Sequence, residues 1–259
     1  MKIVSWNVNS VRARLPRLLP WLEEHRPDVV CLQETKVVDE LFPREPLEDQ
    51  GYNLVVHGQK SYNGVAILAR HGIEAVVRGF PDDEEGAQAR VIGCAVDDML
   101  VLNLYVPNGS EVGSEKFRYK LDWLRRLRAF LDESYDPGER LVVCGDFNIT
   151  FDDRDVHDPE RWREKILCST PEREALREVM DFGLHDALRK HHEEGGIYTW
   201  WDLRAGAFPK DWGLRIDHFL VSAPALEACT AVTVDREARK GKGPSDHAPV
   251  LATFAPPAK

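Results

Sequence analysis

The sequence sets polar, chemically able side chains where its apolar runs stop. The stretch LVVCGDFNIT, Leu141–Thr150, reads as a buried strand that breaks at Gly145 and puts down Asp146 and Asn148 on either side of Phe147. Other apolar runs end alike. Residues 2–6 lead into Asn7 and Asn9, and residues 28–33 into Glu34, Thr35 and Lys36. Residues 100–106 carry Tyr105 and lead to Asn108. Asp217 sits inside the apolar run RIDHFLVS, and Ser245-Asp246-His247 precedes the last such run. Singly, each is an ordinary turn residue, cap or solvated carboxylate. Together they form one cleft if the strands meet at one edge, because sites are assembled on strand ends and loops held by a rigid scaffold.

Such a set offers hard oxygen donors, one His and one Tyr, with no Cys or His cluster. Those donors suit Mg²⁺, or Mn²⁺ as a substitute, and do not suit zinc. A magnesium ion held by one or two carboxylates keeps positions open for phosphate oxygens, so the expected chemistry is metal-assisted hydrolysis of a phosphate ester. Within the opening stretch, strand alternation predicts Asp146 and Asn148 on one side and Phe147 in the core.

The elements that must position these groups are strands for the most part. Apolar or alternating runs predict strands at 2–6, 28–33, 52–58, 64–69, 74–79, 89–96, 100–106, 140–145, 215–222, 229–235 and 249–254. Helices are predicted at 14–25, 114–133 and 171–182. In the second, Phe117, Leu121, Leu124, Arg128 and Leu131 trace one stripe with Leu127 beside it, and Ser114 can cap its start. The third opens on Ser169-Thr170-Pro171-Glu172, an N-cap followed by proline in the first turn. Many strands with few helices argue against a repeating βαβ barrel and for two packed sheets with helices outside. A faint echo between MKIVSWNVN and RLVVCGDFN hints at two lobes.

The chain has 259 residues, 43% hydrophobic and 30% charged, with no linker-like stretch; one large domain over 1–259 is expected. No stretch of signal-peptide or membrane-spanning character appears, so a cytoplasmic, reduced setting without membrane contact is the expectation. The five cysteines are odd in number and form no C-x-x-C pair. A net charge of −10 speaks against a general nucleic-acid binder, but a binding footprint is local. Arg12, Arg14 and Arg17, and then Arg236, Arg239, Lys240 and Lys242, form basic clusters.

The motifs WNVNSVRA (6–13), LQETK (32–36), YVPNG (105–109), GDFN (145–148), YTWWD (198–202), RIDH (215–218) and SDHAPV (245–250) resemble, in order and over nearly the whole chain, the exonuclease III family of apurinic/apyrimidinic (AP) endonucleases. The resemblance implies a four-layer α/β sandwich, two mixed sheets face to face with helices outside. It implies a Mg²⁺-dependent enzyme, acting as a monomer on duplex DNA with abasic sites or blocked 3′ ends. It assigns Glu34, Asn7 and Asp246 to the metal, Asp146 to the attacking water, and Asp217 with His247 to the phosphate. Asn148, Tyr105 and Asn108 would donate to phosphate oxygens, with Tyr105 also near the leaving group. Trp200, Leu214 and Ile216 match the family's abasic-sugar pocket, where extruding a baseless nucleotide costs least. Arg204 would enter the duplex gap, and Lys36, Arg12 and the 236–242 run would grip DNA phosphates. Asn9 stands where some members have Asp, and Leu203 where bacterial members often have Tyr. Trp201 reads as core. A same-fold phosphatase or phosphodiesterase acting on a non-DNA substrate, and a non-enzymatic DNA-binding derivative, are the rival readings.

Overall fold

The computed structural model describes residues 1–257. Its first sheet is built from β1 (Lys2–Asn7), β2 (Val29–Gln33), β3 (Asn53–His57), β4 (Val65–Ala69), β13 (Cys229–Val234) and β14 (Val250–Phe254). The second is built from β5 (Glu74–Arg78), β6 (Val91–Val96), β7 (Met99–Tyr105), β8 (Leu141–Asp146), β9 (Leu184–Asp186) and β12 (Asp217–Ser222). β10 (Trp200–Trp201) and β11 (Gly213–Leu214) form a separate short ribbon. The helices are α1 (Val11–His25), α2 (Glu45–Glu48), α3 (Glu115–Ser134), α4 (Pro159–Trp162), α5 (Thr170–Met180) and α6 (Ala223–Ala228). No helix of the described residues is long and apolar enough to cross a membrane.

Spatial order is β13-β14-β1-β2-β4-β3 in the first sheet and β5-β6-β7-β8-β12-β9 in the second. Each sheet holds one parallel pair, β1 with β2 and β7 with β8, flanked on both sides by antiparallel neighbours. A parallel pair needs a crossover, which α1 and α3 supply. The two lobes foreseen from the sequence exist, but the echo joined the wrong strands. β1 opens its crossover while β8 closes the other, so the counterpart of β1 is β7.

The layers follow from alternation. Inward residues such as Cys31, Ile67, Ile92, Cys144 and Phe219 meet between the sheets. Outward residues Val4, Val30 and Leu32 pack under Leu18 and Leu22 of α1. On the far side Leu102, Leu104 and Val143 pack under Trp123, Leu127 and Phe130 of α3 and Leu176 of α5. The result is the four-layer sandwich, helix on sheet on sheet on helix. All five cysteines are buried and free.

Local signals set the helix ends. Ser10 accepts from the Ala13 amide and starts α1 three residues before the expected 14. Ser114 caps α3, and Ser169 with Glu172 forms a capping box on α5. The buried face of α3 is rotated from the expected stripe: Lys120, Trp123, Leu127 and Phe130 are buried, while Leu121 and Arg128 are only half-buried. Lysine at the centre of that face hid it from a hydrophobicity pattern. The missed elements, β9 to β11, α2, α4 and α6, have two to six residues each, too few to show a period.

One glycine is demanded by close approach. Gly145 lies opposite Leu104 in the β7–β8 pair at φ +144°, and a Cβ there would fall 1.9 Å from the Leu104 carbonyl oxygen. Gly145→Ala is expected to lower stability by about 3 kcal/mol or more, from backbone strain and overpacking together, as read by urea denaturation. An unchanged midpoint would mean the two strands part easily at this point.

Candidate active site

Both parallel pairs end at the same edge of the sandwich. β1 ends at Asn7, β2 runs into Glu34, β7 ends at Tyr105 and β8 at Asp146, and Asp217 at the head of β12 is paired with Asp146. The Asn7 carboxamide closes the gap between the sheets. Its Nδ2 donates to Glu34 Oε2 at 3.0 Å and to Asp146 Oδ2 at 2.9 Å. Its Oδ1 accepts from the Asn9 amide at 2.9 Å.

Around this link the expected residues assemble. His247 Nδ1 lies 2.9 Å from Asp217 Oδ2, and its Nε2 lies 3.6 Å from Asp146 Oδ2. Asp217 is braced by the buried Thr199 hydroxyl, which donates to Oδ2 at 2.6 Å and accepts from the Ile216 and Asp217 amides. Asp246 accepts from Asn9 Nδ2 at 2.9 Å and from Trp200 Nε1 at 3.0 Å, so both of its oxygens are engaged. Lys36 donates to Asn9 Oδ1 at 2.7 Å and lies 3.2 Å from Glu34 Oε1. The Ser245 hydroxyl donates to the Asn7 carbonyl and accepts from the His247 amide, tying the 245–247 segment to β1. Asn9, Ser10, Glu34, Lys36 and Asn148 all take positive φ. Such a concentration of strained backbone is typical of functional sites.

Asn148 reaches its place by a different route from the one expected. The strand ends at Asp146, and Asn148 turns to φ +52° with its amide donating to Asp146 Oδ1 at 2.9 Å. A side-chain-to-backbone turn, not strand alternation, brings the pair together. Phe147 is buried as expected. Asn148 Oδ1 accepts from Asn108 Nδ2 at 3.0 Å, and its Nδ2 donates to the Val106 carbonyl. Beneath them Lys120, fully buried, donates to the carbonyls of Asn108 (3.1 Å) and Asn148 (2.7 Å) and pairs with buried Glu172.

Burial and charge set the protonation. Burial drives Asp146 up to about 7, with Asp217 and Glu34 adding to the rise and His247 and Asn7 opposing it. Burial alone would lower His247, but the carboxylates of Asp217, Asp146 and Asp246 prevail and hold it at about 10. Burial likewise pushes the Tyr105 hydroxyl well up, helped by Glu34 and Asp146. Of the cations near Glu34, Asp146, Asp217 and Asp246, Lys36 and His247 lie within ion-pair distance of them. An excess of oxygen donors with no thiolate among them fits a hard divalent ion. Ligand atoms of Asp146, Asp217 and His247 lie within 4.8 Å of one another, but the His247–Asp217 hydrogen bond already occupies that trio. Glu34, half-exposed beside Asn7, is the freer ligand.

Other expectations fare differently. Trp200 is half-buried at the rim, whereas Leu214 and Ile216 expose nothing and pack with Val156, Leu167 and Cys168. Trp201 is core. Arg204 stands in solvent, paired with Asp202. Arg239 does not face outward: it is buried over Phe208 and donates to the Ser245 carbonyl. Arg236 pairs with Asp211 over Trp201 and Phe208, and Arg17 donates to the carbonyls of Ala238, Lys240 and Lys242. The 236–242 run is therefore pinned by its arginines, with Lys240 and Lys242 left exposed. Thr199, Ser245 and Lys120 were missed as site supports. The first two lie inside quoted motifs, and Lys120 is a lone cation in an apolar helix face.

A sandwich of two crossover lobes with carboxylates, amides and a charged His at the shared edge defines a hydrolase of phosphate esters. The model of the Endonuclease/Exonuclease/phosphatase family matches residues 4–247, and the chain belongs to this family. It is 38% identical to exodeoxyribonuclease III of Haemophilus influenzae over 98% of this chain and all of that one. It is 30% identical to the DNA repair nuclease APEX1 of Danio rerio, covering 98% and 82%. Among solved structures, the 3′-5′ exonuclease NExo of Neisseria meningitidis superposes with a TM-score of 0.94 at 45% identity, covering 98% and 99%. An AP endonuclease of Archaeoglobus fulgidus does so with 0.94 at 39%, with the same coverage. Within the family the chain is of the exodeoxyribonuclease III type, a hydrolase acting on DNA.

Two predictions follow from the buried ionisable groups around the site. Lys120→Met strands Glu172 as an unpaired buried charge and is expected to cost 3–5 kcal/mol, roughly, in urea denaturation, with Lys120→Met/Glu172→Gln recovering most of it. Equal losses in the single and double variants would mean that the ion pair is not the stabilising element. His218 is buried against Phe147 and Phe151, with Nε2 2.7 Å from the Ile149 carbonyl. Burial, reinforced by Arg215, lowers it to about 4. The unfolded chain therefore binds a proton below about 6.5 that the fold refuses. Stability from this group is complete above that pH and falls by roughly 3 kcal/mol as pH drops to about 4. His218→Phe should show a shallower loss between those limits when both proteins are denatured with urea at each pH.

Proposed function

We propose that this protein is a Mg²⁺-dependent DNA repair nuclease that cuts the phosphodiester 5′ to abasic sites in duplex DNA and processes 3′ ends. The observation that carries the reading is the opposed pair at the shared edge, a buried Asp146 raised to about 7 facing a His247 held at about 10 by Asp217. A plain Asp, with a pKa near 4, is a poor base at neutral pH. Burial makes Asp146 a competent one, because a general base works best with its pKa near the operating pH.

Glu34, with Asn7 beside it, would hold the ion directly, and Asp246 would orient it through water because both of its oxygens are in use. When bound, the ion supplies charge to the phosphate and leaving oxygen. Asp146 takes the proton of the attacking water. Protonated His247 faces the phosphoryl oxygens as negative charge develops, and Asp217 with Thr199 fixes the ring. Asn148, held by Asn108 and the Lys120 clamp, sits beside Asp146, and the Tyr105 hydroxyl, kept protonated, donates toward the cleft.

A second observation bears on the balance of activities. Leu214 and Ile216 are buried in one cluster with Val156, Leu167, Cys168 and half-buried Trp200, and the little open surface they offer favours trimming of 3′ ends over accommodation of an internal abasic sugar. The DNA-acting relatives and the filled catalytic positions weigh against a non-DNA phosphatase and a non-enzymatic derivative.

The test is one duplex made in two forms, with an internal abasic analogue or a 3′-phosphate, incubated with Mg²⁺ or EDTA. Cleavage of at least one form is expected with Mg²⁺ only, the 3′-phosphate form faster. Asp146→Asn and His247→Ala should each lose about a hundredfold or more in rate. Two intact duplexes would sink the activity, and near-full rates in both variants would sink the assignment of the site.

A further inference from the structure

A second cavity, of about 330 Å³, opens beside the cleft and shares Asn108 with it. Its floor includes Arg90, which is 8% exposed. That guanidinium lies 4.6 Å from the Tyr105 ring centroid. Its Nε donates to Gln88 Oε1 at 2.6 Å and its Nη1 to the Tyr105 carbonyl at 3.0 Å. Among the described residues no group takes Nη2. A buried cation held in place on two sides and left open on the third is a ready donor to an incoming acceptor. The rim carries Tyr62, 70% exposed, Tyr119, 40% exposed, and Lys116. Two aromatic rings at the rim of a cavity whose open lining is mainly apolar offer a stacking surface to a flat ligand.

We propose that this cavity is a subsite for one unpaired nucleotide of the DNA strand. The proposal rests on the nuclease reading above. The volume lies at the low end of ligand pockets, enough for one base and not for a base pair. A paired base turns its hydrogen-bonding edge to its partner, so only a base free of the stack can reach a floor as deep as Arg90. Aromatic faces take any base by stacking, and Arg90 Nη2 meets a base or sugar oxygen. Lys116 at the rim suits the adjoining phosphate. The subsite would hold a frayed or overhanging nucleotide near the cut. Because Arg90 packs on Tyr105, occupancy would also steady a residue of the cleft.

The experiment uses the full chain in EDTA, so that binding is read without cleavage. The probes are a blunt duplex and the same duplex with a one-nucleotide overhang of 2-aminopurine, placed at the 3′ end and then at the 5′ end. Wild-type protein should quench the fluorescent base at one of the two ends. Tyr62→Ala and Tyr119→Ala should remove the quench and weaken overhang binding about tenfold relative to the blunt duplex. Tyr→Phe at either position should retain both effects. Equal weakening for blunt and overhanging DNA, or no quench at either end, overturns the subsite. Failure of the nuclease reading is read separately, as absence of Mg²⁺-dependent cleavage by the wild-type protein, a result on which the binding ratio does not depend.

Discussion

The site depends on one carboxamide. Asn7 ends a strand of the first sheet, yet it donates to Asp146 at the end of a strand in the second. The same Nδ2 donates to Glu34, a half-buried carboxylate at the mouth of the cleft. A single planar group thus fixes the spacing between Asp146 and Glu34, and it does so across the interface of two sheets whose contact is mostly apolar. A second polar tie lies just beneath. Gln33 donates to Asn103 Oδ1 at 2.8 Å, and Asn103 donates back to the Leu32 and Ala66 carbonyls. Buried amides specify a register that interchangeable aliphatic contacts leave loose.

That arrangement sets the electrostatics. Packing four carboxylates into a partly dry edge is unfavourable, and the fold relieves it by two routes: His247 stays protonated and Asp146 tends toward neutrality. Both responses are also what hydrolysis of a phosphate ester calls for. The strain of assembling like charges therefore tunes the acid and base, without a separate device for each. The remaining negative excess, centred on Glu34, is the part that a divalent ion would neutralise.

Much of this was legible in the sequence because strand periodicity and strand ends are local signals. The eleven expected strands and three helices all exist, and Asn7, Glu34, Tyr105, Asp146, Asp217 and His247 meet at one edge as their positions required. What was hidden depends on tertiary context. The two-residue strands that bring Trp200 against the 245–247 segment carry no period. Lys120 reads as a surface lysine until Glu172, 52 residues on, is seen beside it. Arg239 reads as a DNA-binding cation and Arg17 as part of a basic cluster, but carbonyls capture both. Charge in a sequence says little about facing, because a guanidinium serves buried carbonyls as well as phosphates.

The same captures bear on how a chain with net charge −10 handles a polyanion. Arg17, Arg239, Arg215 and Lys120 are all spent on internal contacts. Cations that stay at least partly exposed on and beside the motif segments include Lys36, Arg12, Lys116, Lys240 and Lys242. Affinity gained by counterion release scales with the number of phosphates neutralised, so a small set gives weak, shallowly salt-dependent binding to intact duplex. Under the proposed repair activity, recognition would then come from what intact duplex lacks. An abasic gap, a 3′ phosphate or an unpaired base would each offer a group that can enter a pocket lined by aromatic, amide and carboxylate groups. On that reading a modest grip on ordinary DNA and a selective hold on a lesion would both follow from one economy of positive charge.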